Sequence, residues 1–152
     1  MSVKLNVASD VISLAKGLAV IRAFDNFYKP LSLVEISNNI SLSFANTQNI
    51  CENLVELGYL SKNNSDNSYY PTSLCLKLAS GFFNLSPLIQ AALPELNGIC
   101  GSMEGNVNLI GYDQHELTLL FCTNSYELGK FDVPGKSKNL LYTAAGRAIL
   151  SH

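Results

Sequence analysis

The chain has 152 residues, 47% of them hydrophobic and 14% charged, with a net charge of −2. That length holds one medium domain or two small ones with a buried core, and the slight acidity is not that of a broadly basic nucleic-acid binder. No run approaches the ~18 apolar residues of a membrane span, and the opening Met-Ser-Val-Lys-Leu-Asn lacks the apolar stretch of a secretory signal, so a cytoplasmic protein with no membrane partner is expected.

Val11, Ile12, Leu14, Ala15, Leu18, Ala19, Ile21 and Phe24 recur at helical spacing. Asp10 is the candidate N-cap, and Tyr28-Lys29-Pro30 stops the helix. Ser32 followed by Glu35 reads as a capping box opening a short second helix that buries Leu33, Ile36 and Ile40 and ends at Asn38-Asn39. After the tight connection Ser41-Leu42-Ser43, a third helix over 43–57 places Ile50, Leu54, Val55 and Leu57 inward, with Gly58 just past its end. Two short strands, 59–61 and 68–70, flank the polar turn at 63–67. Three helices and a hairpin, with a short turn between the second and third helices, make a winged helix-turn-helix.

A helix over 73–84 follows as a spacer, then another from Ser86-Pro87 to about residue 103, interrupted by Pro94. Strands are expected at 106–112 and 116–123 around Asp113-Gln114-His115, with an irregular stretch over 125–139. A last helix over 141–150 packs Ala144, Ala148 and Ile149 near Gly146. The fold class is therefore α+β, with a partial α/β unit after the winged helix. Two or three strands leave open edges, so the 106–123 strands are expected to pair across a subunit interface or to be shielded by the 125–139 segment.

Nothing in these residues makes an enzyme. His115 falls in a turn and reads as solvent-exposed, and His152 is terminal. Glu104 and Asp113 flank a strand without the partners that acid–base chemistry needs. Gly101, Gly105 and Gly111 form no phosphate loop, because the G-x-x-x-x-G-K pattern is absent. Cys51, Cys75, Cys100 and Cys122 contain no C-x-x-C pair. They read as free core residues rather than as disulfides or zinc ligands, and no metal or cofactor is expected.

The run SLAKGLAVIRAFD at 13–25 resembles the opening of IclR-family transcription regulators, most of all the branch that senses aromatic acids such as protocatechuate and 4-hydroxybenzoate. LVELGYL at 54–60 is similar to that family's passage from recognition helix to wing. YPT at 70–72 with LKL at 76–78 is similar to its linker helix, and TAAGRAIL at 143–150 to its T-A-x-G-R-A-I-L helix. The resemblance implies a winged helix-turn-helix over 1–72, a linker helix over 73–85, and over 86–152 the N-terminal part of an effector-binding domain. It also implies a homodimer or tetramer on double-stranded operator DNA, joined through the first helix and the linker helix. In the family the effector domain continues past the helix matched at 141–150, so the chain is expected to stop inside that domain. If it is complete, a small-molecule effector held by the 100–140 region is not expected, and the effector-binding residues are unassigned.

The recognition helix can be read two ways. In the family it carries a Thr or Ser and then Arg, where this chain has Asn46 and Asn49. Asn and Gln pair with adenine, so Ser43, Asn46, Thr47, Gln48 and Asn49 are expected in the major groove, with Lys16 and Lys62 on phosphates. Against this, residues 30–61 hold no Lys or Arg and three acids, Glu35, Glu52 and Glu56, and phosphate neutralisation supplies most non-specific affinity. Phe44 suits a buried or partner-facing role. The alternative to a weak DNA-binding regulator is thus a degenerate, truncated one. It would act as a dimerisation or protein-interaction module, joining a full-length relative in a hetero-oligomer.

Overall fold

The structure, a computed structural model, describes residues 9–25, 27–100, 107–113, 116–123, 126–127, 130–131 and 133–151. The readings made for the N-terminal hexapeptide, Gly101, Glu104, Gly105, Gln114, His115 and His152 lie outside the described residues. The chain divides into two compact units, Met1–Ser80 and Gly81–His152.

In the first unit, α1 (Ser9–Arg22), α2 (Leu33–Ile40) and α3 (Phe44–Glu56) precede a hairpin of β1 (Leu60–Lys62) and β2 (Tyr69–Pro71). The first helix already includes Ser9, so Asp10 sits in its first turn instead of capping it. At α2 the capping box forms as its sequence implies: Ser32 Oγ accepts from the Glu35 amide, and Glu35 Oε2 accepts from the Ser32 amide at 2.8 Å. Ser41, at φ 55°, turns the chain from α2 into α3 in the left-handed region. Gly58, at φ +80°, does the same after α3, where a side chain would be strained.

The strands sit one residue later than the sequence pattern places them. They pair Leu60 with Pro71, Ser61 with Tyr70 and Lys62 with Tyr69. The turn between them is shaped by Asn63 and Asp66, whose carboxylate or amide oxygens accept from the Ser65 and Ser68 amides. Leu31 adds an isolated bridge to Tyr69, exchanging backbone hydrogen bonds of 3.0 and 2.8 Å. Val20, Ala23, Leu31, Ile36, Cys51, Leu54, Leu60 and Tyr69 form one buried cluster, with Leu33, Ile40, Ile50 and Val55 packed on it. Leu57 departs from its expected inward place: it is 64% exposed as the C-cap residue of α3.

The division between the units falls inside α4 (Leu74–Leu85). In the second unit, α5 (Pro87–Cys100) runs through Pro94 without ending, although proline removes one donor from the helical ladder. A three-stranded antiparallel sheet follows, with β3 (Asn108–Asp113), β4 (Glu116–Cys122) and β7 (Ser137–Lys138) in the order β3-β4-β7. A register shift between Leu109 and Ile110 leaves Leu120 unpaired opposite them. Such a bulge changes the inside–outside phase of a strand, and Leu119 and Leu120 are accordingly both buried, with Leu117. The 125–139 segment is less irregular than its composition implies. It holds β5 (Tyr126–Glu127) paired with β6 (Lys130–Phe131), then β7, which covers the free edge of β4. Thr143 caps α6 (Ala144–Leu150). Gly146 is its buried residue, whereas Ala144 and Ala148 are exposed.

Candidate nucleic-acid interface

Helix α3 buries Thr47, Cys51 and Leu54 on one stripe, which leaves its opposite face to solvent. The seven residues expected to touch DNA separate accordingly. Ser43 is exposed and caps α3, its Oγ accepting from the Asn46 amide at 3.4 Å. Thr47 is fully buried and its hydroxyl donates to the Ser43 carbonyl at 3.0 Å, so it faces the core rather than a groove of DNA. Gln48 is exposed, and its Nε2 donates to Glu52 Oε1 at 2.9 Å. Asn49 is exposed and accepts weakly from Asn53 at 3.5 Å.

Asn46 and Asn49 also line a groove of about 510 Å³ between α1, α3 and α4, walled by Leu14, Leu18, Leu57 and Leu78. Lys16 belongs to that groove and is half-buried. Lys62 is exposed on the wing with its Nζ 5.6 Å from the centroid of the Tyr69 ring, a cation–π distance. Of the expected set, Gln48 and Ser43 are exposed outside the groove, Lys62 extends the surface to the wing, and Lys16, Asn46 and Asn49 line the groove beside α1.

Two residues of this face were not among those expected. Phe44 is 49% exposed, neither buried nor covered by another element. Glu52 is exposed and bound to Gln48. Helical phase carries the signal for Glu52, which with Gln48 lies off the buried stripe, whereas Phe44 is exposed as the first residue of the helix. With Glu56, Glu52 puts negative charge on a helix that has no cation to offset it. Lys29 does not supply one, because its ammonium holds Glu35 at 2.5 Å. That contact, followed by the hydrogen bonds from Ser32, lowers the Glu35 carboxyl to about 2.

None of the four cysteines is in a disulfide. Burial raises the Cys51 thiol to about 11 and also raises Cys75, which disfavours the reactive thiolate. Among the described residues, no three His, Cys, Asp or Glu side chains cluster in a way that could hold a metal ion. No helix among them is long and apolar enough to cross a membrane.

Comparison with known proteins falls on the same region. Residues 13–64 match the IclR helix-turn-helix domain. The chain is 30% identical over 97 residues to the Pca regulon regulatory protein of Pseudomonas putida, a match covering 64% of this chain and 33% of that protein. It is 24% identical over 107 residues to the p-hydroxybenzoate hydroxylase transcriptional activator of Acinetobacter baylyi, covering 70% of this chain and 39% of that one. An IclR family transcriptional regulator from Brucella abortus superposes with a TM-score of 0.80 at 21% identity, over 99% of this chain and 58% of that chain. The match therefore spans 33% to 39% of the length of these curated relatives, and the structural likeness extends the shared fold through the second unit.

Proposed function

We propose, from the match of residues 13–64 to the IclR helix-turn-helix domain, that the chain is a transcription regulator that binds double-stranded operator DNA through α3 and the wing. The observation that carries this is the coincidence of a complete three-helix and wing core with a polar, solvent-facing α3 bearing Ser43, Gln48 and Asn49. Lys62 supplies a phosphate contact from the wing. Because α2 and α3 bring no cation, the binding is weak, and with few phosphates neutralised it falls only shallowly with salt.

The protein works as a dimer. Leu14, Leu18, Leu57 and Leu78 are exposed around one groove, and a contiguous apolar surface of this kind marks an association site. By analogy with the named relatives, the regulated genes belong to the breakdown of aromatic acids. Fluorescence anisotropy with the upstream intergenic duplex at low salt tests the reading. Saturable binding at micromolar protein is expected, and its absence overturns it.

A second reading is favoured by the lack of any Lys or Arg over 30–61. The chain is then an interaction module that keeps the apolar groove, pairs with a full-length relative and does not hold DNA. Co-purification of a mixed oligomer that fails to bind the duplex supports it; failure to form any mixed oligomer removes it.

A further inference from the structure

We infer that the outward face of α3 reads adenine·thymine pairs and rejects guanine, with Glu52 as the residue that positions Gln48; this rests on the proposal that α3 contacts duplex DNA. Phe44, Gln48 and Glu52 lie four residues apart and form one exposed stripe. The bond from Gln48 Nε2 to Glu52 Oε1 takes one of the two amide hydrogens of Gln48. With Glu52 holding the hydrogen trans to the carbonyl, what Gln48 can still offer is one N–H donor and one carbonyl acceptor, side by side.

Adenine presents the complement in the major groove, an N7 acceptor beside an N6 amino donor. Guanine presents two acceptors, N7 and O6. A free amide could meet these with both its hydrogens, but with one hydrogen held the carbonyl of Gln48 faces O6, and acceptor meets acceptor. The Glu52 carboxylate beside it adds a second repulsion. Arg and Lys, the side chains that most often take guanine, are absent from residues 30–61.

Phe44, one turn nearer the start of the helix, explains itself on the same face. Its half-exposed ring is the apolar surface that fits a thymine C5 methyl, and covering it removes apolar area from water. Gln48 and Phe44 together thus suit an adenine with a neighbouring thymine methyl.

The test uses the full chain and a pool of duplexes with randomised centres, selected at low salt and then titrated singly. Adenine–thymine steps should be enriched. Replacing thymine by uracil, which removes only the methyl, should weaken the native protein by about fourfold, the worth of one buried methyl, and leave Phe44→Ala indifferent. Glu52→Ala should reduce the preference for adenine over guanine by about tenfold, and Glu52→Gln, which keeps an acceptor oxygen, should restore it. Both Glu52 variants change an exposed side chain, and circular dichroism checks their folding. A guanine-containing consensus, equal affinity for thymine and uracil duplexes, or an unchanged preference in Glu52→Ala overturns this inference alone. Absence of saturable binding to every duplex overturns it together with the DNA-binding proposal.

Discussion

Replacing Tyr69 by phenylalanine should raise the stability of the first unit, the reverse of what deleting a polar group from a hairpin usually does. Tyr69 is fully buried, and among the described residues its hydroxyl has no hydrogen-bond partner. Leaving such a group dry and unpaired costs about 1–3 kcal/mol, and the substitution removes that cost. Against this stands the small space left by one oxygen. At ~24 cal/mol per Å³ and about 10 Å³, it returns roughly 0.2 kcal/mol. The ring remains, so the cation–π contact with Lys62 at 5.6 Å is kept, as are the backbone bonds to Leu31. The net gain is about 1 kcal/mol, or a rise in Tm of about 4–8 °C for a unit of this size. Urea denaturation followed by far-UV circular dichroism should show a higher midpoint with an unchanged slope. A loss of 1 kcal/mol or more in Tyr69→Phe would refute the reasoning, since it would mean that the hydroxyl is satisfied.

Thr47→Val should cost about 1 kcal/mol through the lost bond to the Ser43 carbonyl while leaving the DNA affinity of the folded protein unchanged; a folded variant that has lost sequence preference would put Thr47 back on the DNA. Glu35 has a folded-state value of about 2 against 4.5, a lowered carboxyl, so its contribution is fully present above about pH 4.5 and is lost as the pH falls toward 2. Urea midpoints of the native chain and Glu35→Gln should therefore converge across that window. Curves that stay parallel would contradict the assignment, and because the pair with Lys29 is exposed, added salt should narrow the gap. In the second unit, a Cβ on Gly146 would lie 1.7 Å from the Leu140 carbonyl oxygen, so Gly146→Ala should cost about 2–3 kcal/mol and speed amide exchange over 144–150; unchanged exchange would show that the backbone yields freely there.

The parts of the fold that were legible in the sequence are those written in short-range chemistry. The Ser32–Glu35 capping box and Gly58 are local devices whose partners lie within a few residues, and their side-chain types name their roles. The misreadings at α3 came from weighing residue type above helical phase. Thr47 is polar and was expected outside, yet its spacing from Cys51 and Leu54 puts it on the buried stripe. Leu57 is apolar and its spacing from Leu54 points inward, yet as the C-cap residue it lies past the last turn and is exposed; Phe44, the first residue of α3, is half-exposed, as a partner-facing side chain is. Strands of two residues, such as β5, β6 and β7, are too short to develop an alternating pattern. The covering of β4 by β7 depends on a pairing some twenty residues distant, Leu117 with Lys138, which no local signal announces. The link between Gln48 and Glu52 was available from its four-residue spacing, but only the structure shows which amide atom is taken.

The bridge between Leu31 and Tyr69 bears on how the first unit comes together in time. Helices α2 and α3 are joined by a three-residue connection and can dock as soon as both exist, whereas the Tyr69 strand must return across nearly forty residues to meet Leu31. The chain entropy lost in closing that loop grows with its length, and contacts of long sequence separation form late for the same reason. The wing is therefore the last piece to be fastened. Because its two bonds to Leu31 sit immediately before the Ser32 cap, unfastening it exposes the start of α2, and a protease or a pulling force applied at the hairpin would open the helix-turn-helix from that end first.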